Sequence, residues 1–296
     1  ASLVEEITTF KKGDHVFHPG KPEWGPGVVT EDPQDDKVRV LFVEGGEKLL
    51  LLRHARLESF TGEDARLERV NIDDPNSASD LLGPQRAREK FLAAYPEGFG
   101  SKTYQEEDRK PKEEAVRLME ELLGEEPMAQ LLEAENWEEV GSRAIKVLTA
   151  TKLVVPSERK SLKEALQDQD LAEKFSRTLC DLLYGFGSQR EGDEEEGLRR
   201  RFERYVACLK EMQSAKWPIA TYFLFMRFPE EHMLLRPTFA QRAARSFGFD
   251  LRYRAEISWL TYARLLELSR AILRDIGELD ARDMLDVQAF MWKLAR

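Results

Sequence analysis

Cysteine is almost absent: Cys180 and Cys208 are the only two in 296 residues. A disulfide framework is therefore excluded, and both thiols sit in apolar helical patterns of the kind that hold reduced, buried cysteines. Histidine is nearly as scarce, at four. His15 and His18 are close in sequence, but no cysteine or third histidine stands at ligand spacing, so no metal site is expected. No run of eighteen apolar residues occurs, which excludes an ordinary membrane-crossing helix. The first residues, ASLVEEITTF, lack the basic start and apolar core of a signal peptide, which predicts a cytoplasmic protein with no membrane partner. Zinc-ligand spacings, a Walker sequence, a nucleophile elbow and an acid–lysine nuclease pattern are all missing. No cofactor is expected, and catalysis is the least favoured reading.

What is present is charge, at 34% of residues with a net −10. That sign repels phosphate backbones and anionic membranes taken over the whole molecule, so any nucleic-acid contact must be local. The length suits two domains, each able to bury a core without covalent help.

Residues 10–57 carry the clearest pattern. Gly13-Asp14 leads into the alternating His15-Val16-Phe17-His18, a turn and a short strand. Pro19-Gly20, Pro22 and Gly25-Pro26-Gly27 break the chain around Trp24, and Val28-Val29 resumes it. Val38, Val40 and Phe42 alternate through a third strand, Gly45-Gly46 predicts a hairpin in which both glycines take positive φ, and Leu49–Leu52 reads as a wholly apolar fourth strand. A single helical turn is expected over residues 54–57. Strands this short at this spacing predict a small, strongly bent antiparallel barrel.

GDHVFHPGKPEWGPGVV followed by KVRVLFVEGGEKLLLL resembles a small bacterial barrel of SH3-like or Tudor-like type. It is similar to the barrels at the C-terminus of UvrD-type helicases and the N-terminus of CarD-type transcription regulators. The resemblance implies a docking element for RNA polymerase or a DNA-repair factor, with an exposed strand edge able to accept a partner strand. Trp24, Phe17, Arg39 and Arg53 are the expected partner contacts. Eight basic side chains face eight acidic ones between residues 10 and 57, and a neutral barrel suits a protein partner better than bare DNA. Trp24 has two readings: a rigid anchor or ligand cage, and a plug for one end of the barrel.

Residues 61–84, rich in Asp, Asn, Ser, Gly and Pro, read as the linker between a 1–60 barrel and an 85–296 all-α domain, an α+β layout overall. Beyond it, apolar residues recur at helical spacing: Ala115, Met119, Leu122 and Leu123, then Val140, Ala144, Val147 and Leu148, then Leu171, Phe175, Leu179 and Leu182. Ser161 is expected to cap one helix and Thr238 another. Gly185-Phe186-Gly187-Ser188 follows a helix, the wrong context for a phosphate cradle, and 190–197 reads as an acidic loop. Trp217–Met226, opened by a proline, is expected to be a buried helix.

Charge is unevenly spread here. Between Arg199 and Arg254 twelve basic residues stand against five acidic ones, so this stretch is +7 while the rest of the chain is −17. Arg199, Arg200, Arg201, Arg204, Arg242 and Arg245 are the candidate nucleic-acid contacts, interleaved with aromatics. The opposing reading pairs these arginines internally with the acidic half. The enzyme alternative rests on His232, Asp283 and Asp286, the two aspartates lying one helical turn apart, where they could equally cap a helix. Tyr95-Pro96-Glu97-Gly98-Phe99, Arg236-Pro237, Trp259-x-Thr261-Tyr262 and the Arg282–Trp292 segment resemble a family of uncharacterised bacterial proteins, which implies one cohesive helical body and no particular chemistry. Together these features predict a non-catalytic accessory protein.

Overall fold

The computed structural model describes residues 10–62, 82–185 and 194–295. Most of the expected linker, and the acidic loop up to residue 193, lie outside them. An N-terminal antiparallel sheet is followed by helices, as expected of an α+β chain.

The sheet has five strands, β1 (His15–Phe17), β2 (Gly27–Val29), β3 (Lys37–Phe42), β4 (Gly46–Leu51) and β5 (Glu58–Ser59), in the order β4-β3-β2-β1-β5. Alternation sorts the side chains. Val16, Val29, Val38, Val40 and Phe42 point inward to a core shared with Phe10, Ala55 and Leu57, while Val28 and Leu41 are buried on the opposite face beside Val43 and Phe60. A one-turn helix, α1 (Leu52–Ala55), joins β4 to β5, two residues earlier than its sequence pattern suggests.

The β3–β4 hairpin departs from expectation in an instructive way. Phe42 pairs with Gly46 across a three-residue connection, and Gly46 alone takes positive φ, at 69°. Gly45 is glycine for another reason: a Cβ there would lie 2.6 Å from Cγ of Trp24. The two glycines thus do different work, one turning the chain and one admitting an indole.

The chain divides into two compact units. The first holds the described residues up to Ala93 together with Gln241–Asp250, and the second holds Ala94–Ala240 and the chain from Leu251 onward. The division therefore falls after most of α2 (Gly83–Ala94), and a later segment returns to the first unit, where the Leu82 N–H donates to the Ser246 carbonyl at 3.0 Å.

In the second unit a short helix α3 (Lys102–Tyr104) runs through a π-helical turn at Gln105–Arg109 into α4 (Lys110–Leu123). Then come α5 (Glu125–Glu133), α6 (Trp137–Thr149), α7 (Pro156–Ala165), α8 (Gln169–Tyr184), α9 (Glu194–Glu211) and α10 (Trp217–Arg227). The last three are α11 (Pro237–Ser246), whose residues from Gln241 onward belong to the first unit, α12 (Trp259–Asp275) and α13 (Met284–Leu294). Every residue of α10 from Trp217 to Met226 is buried, so the most apolar run of the chain is a core helix. Each large side chain so buried contributes about 1.5–3 kcal/mol.

Two expected caps are corrected. Ser161 lies inside α7, which starts at Pro156 with the Val155 N–H held by the Glu158 carboxylate at 2.9 Å, and Thr238 lies inside α11, which starts at Pro237. In both cases a proline at the first helical position sets the start, because its missing N–H would have had no partner there and its φ already suits a helix. Asp168, Ser258 and Asp283 do cap α8, α12 and α13, each accepting from backbone N–H groups of the first turn.

Candidate functional site

β4 is one of the two outer strands of the sheet in the first unit. In antiparallel strands a residue's N–H and C=O point the same way, and the direction alternates along the chain. The Thr30 N–H donates to the Arg39 carbonyl and the Val43 N–H to the Pro26 carbonyl, so the odd-numbered residues of β3 bond toward β2 and Val38, Val40 and Phe42 toward β4. Their partners are Leu50, Lys48 and Gly46. The N–H and C=O groups of Glu47, Leu49 and Leu51 consequently face away from the sheet, and among the described residues no strand pairs with that edge. Leu49 projects beside it, 56% exposed, one of three large apolar side chains of the described residues left so open.

Charge around this edge is arranged, not absent. Arg39, opposite Leu49 in the register, lies between Glu31 at 3.4 Å and Glu47 at 3.3 Å. Arg53 pairs with Asp36 at 3.2 Å. Trp24 is half-buried against the inner core: its ring lies 5.2 Å from Phe42 and 5.2 Å edge-on from His18, with the Lys48 ammonium 5.4 Å from its centre. Lys21 approaches the same ring at 6.0 Å. That geometry seats the indole on the inner core with two lysines near its ring. Phe17 is half-buried on β1 opposite Glu58.

Of the expected contacts, Trp24 and Arg39 lie on opposite sides of the β3–β4 hairpin. Lys48, which pairs with inward-facing Val40, reaches Trp24 on the inner side of the hairpin, whereas Arg39 and Leu49 project from the outer side. Leu49 was missed as a contact, although the sequence carried a signal: four consecutive leucines in a half-buried strand cannot all face the core.

The basic stretch of the helical chain is largely neutralised. On α9, Arg199 pairs with Glu203 at 3.0 Å and Arg200 with Glu196 at 3.1 Å, while Arg204 reaches Asp181 of α8 at 2.6 Å. Arg201 is half-buried, and its buried Nε has no hydrogen-bond partner among the described residues. Arg227 pairs with Glu120 and Arg236 with Glu158. Arg242 is exposed and Arg245 half-buried on the part of α11 that belongs to the first unit.

The enzyme candidates are occupied in other ways. Asp283 takes a bidentate grip from Arg109, 2.5 Å from Nη1 and 2.8 Å from Nη2, and caps α13 through the Leu285 and Asp286 N–H groups. Asp286, fully buried, accepts from the Tyr104 hydroxyl at 2.5 Å, from Arg109 at 3.1 Å and from the Arg282 N–H at 2.8 Å. Glu113 takes Arg109 Nε at 2.8 Å, and Lys112 is bonded to Asp108. Burial pulls the Arg109 guanidinium down, but its bonds to Asp283 and Glu113 outweigh that and hold it above its ordinary range, while burial raises the Tyr104 phenol and lowers the Lys112 ammonium. Each carboxylate oxygen of Asp283 and Asp286 already accepts a donor, which suits an ion-paired joint and leaves neither acid positioned as a base. His232 bonds Tyr262 through Nδ1 at 3.0 Å, and burial pushes it down to about 4, a neutral core histidine. No hydrogen bond or ion pair links it to Asp283 among the described residues. No group of three or more His, Cys, Asp or Glu side chains suited to a metal ion occurs among the described residues.

Comparison with known proteins adds one match. Residues 10–60 match the family described as "Protein of unknown function (DUF3553)". With the five-stranded sheet, that match fits a small barrel-like domain, and it leaves the helical chain outside it. No curated protein and no solved structure matches the chain. Among the described residues no helix is long and apolar enough to cross a membrane.

Proposed function

We propose that this is a non-catalytic accessory protein whose barrel docks on a protein partner through the outer edge of β4. The observation that carries this reading is the row of outward backbone groups at Glu47, Leu49 and Leu51 beside the exposed Leu49 side chain. Such an edge offers main-chain hydrogen bonds for affinity and an apolar side chain for selectivity. The partner class, transcription or DNA-repair machinery and RNA polymerase in particular, comes from the SH3-like or Tudor-like resemblance of the barrel. The rival that places nucleic acid on Arg199–Arg254 is less well supported, because Arg199, Arg200 and Arg204 of α9 are paired with acidic neighbours.

The test uses the intact chain and a Leu49→Lys variant, captured on immobilised RNA polymerase at moderate salt. The reading expects retention of the parent and loss of at least about tenfold in affinity for the variant, with unchanged unfolding, since surface substitutions of this kind move stability by only about 0.5 kcal/mol. Equal retention of both would remove the β4 edge from the account. Failure of the parent to bind would remove the polymerase.

A further inference from the structure

The second unit holds a cleft of about 310 Å³ between α9 and the stretch Arg254–Trp259 that leads into α12. Its floor is apolar: Phe202, Val206 and Ile257 are buried, and half-buried Trp259 meets Phe202 edge-on at 5.6 Å. The wall is held in place, since the Trp217 indole N–H donates to the Arg254 carbonyl at 3.0 Å and Lys210 of α9 pairs with Glu256 at 2.8 Å.

The cleft is lined by two acids, Glu203 and Glu256, and two cations, Lys210 and Arg254, and the pairing of Glu203 with Arg199, which does not line it, leaves one cation over. Glu203 is taken by Arg199, and Glu256 by Lys210. Arg254, exposed at the rim, has no ion pair or side-chain hydrogen bond among the described residues, and its field helps hold the Glu256 carboxyl below its ordinary range, behind the larger effect of Lys210. One uncompensated guanidinium thus stands over a floor of indole, phenyl and aliphatic carbon. Of the two cations that line this cleft, Lys210 is engaged by Glu256, and Arg254 keeps its fork for a ligand carboxylate.

We propose that this cleft binds a small organic anion with an aromatic body, an aryl carboxylate in its simplest form. The ring lies against half-buried Trp259, above the buried Phe202, and the carboxylate accepts from Arg254. The volume is at the lower end of the range for small-molecule sites, roughly 300–1,000 Å³, which fits a one- or two-ring compound and excludes a dinucleotide. This site is independent of the barrel edge, so the two readings stand or fall separately.

Calorimetric titration of the intact chain with naphthoate, and with its neutral isostere naphthamide, tests the proposal. Naphthoate is expected to bind one-to-one, with naphthamide about tenfold weaker or more, because a hydrogen bond to a charged group is lost. Arg254→Ala, at an exposed position, is expected to weaken naphthoate about tenfold and leave naphthamide unchanged. Ala207→Trp, which fills the cleft from the exposed side of α9, is expected to abolish both. Absence of saturable naphthoate binding, equal affinity for the two compounds, or indifference to either substitution would overturn it.

Discussion

Arg39 and Arg109 are both held by acids, yet they show opposite uses of charge in the two units. Arg39 lies over the sheet between Glu31 and Glu47, its side chain 36% exposed, in contacts that solvent screens. Arg109 is 7% exposed and satisfies Asp283 and Asp286 where water cannot replace them, with Glu113 on its more open side. The helical unit thus spends charge inside, to fix which helices meet. The barrel keeps its charge outside and neutral in sum, leaving backbone groups at one edge as its free polar surface. Asp283 and Arg204 are both engaged by partners within the helical unit, and the proposed recognition rests instead on a strand whose sequence reads as merely apolar.

The largest expected effect lies in the buried joint. Arg109→Ala strands Asp283 and Asp286 without their cation, and loss of one partner of a buried pair costs about 3–5 kcal/mol. Urea unfolding followed by circular dichroism should show a lower midpoint for the helical signal. A change below 1 kcal/mol would mean that Arg109 is no more important than Arg39, and the contrast would fail.

Next is His232. The folded chain resists protonating it until about pH 4, whereas the unfolded chain takes the proton near its ordinary value of about 6.5. Between those values the unfolded state binds more protons, so stability falls as pH drops through that window, by roughly 3 kcal/mol in all. His232→Phe should flatten that part of the stability profile. A parent profile with no slope between pH 6.5 and 4 would contradict the burial.

A smaller effect is expected in the barrel. Gly45→Ala forces a methyl against Trp24, an overpacking that costs about 1–3 kcal/mol, whereas Gly46→Ala meets no atom within 4 Å and suffers only from its positive φ. Tryptophan fluorescence during unfolding distinguishes them, since only Gly45→Ala should move the Trp24 environment in the folded state.

Much of this was legible in the residues. Alternation at Val38, Val40 and Phe42 and the stripes of α6 and α8 are local signals, and they mark the sheet and the core helices. The Trp217–Met226 run likewise announces a core helix, because nothing on it can face water. The joint around Arg109 was hidden, since Asp283 lies 174 positions away and no local pattern pairs them. Ser161 and Thr238 misled because cap chemistry was weighed without the nearby prolines. Leu49 was legible and overlooked: a strand with one wet face has no place for four successive leucines.

The central claim is that the β4 edge is open and takes a partner strand. Residue-resolved amide hydrogen exchange on the intact protein measures it directly. The account predicts slow exchange at Lys48 and Leu50, which bond to β3, and fast exchange at Glu47, Leu49 and Leu51, the latter three becoming protected when RNA polymerase is bound. Strong protection of all five in the free protein would show that the edge is already covered and would contradict the claim.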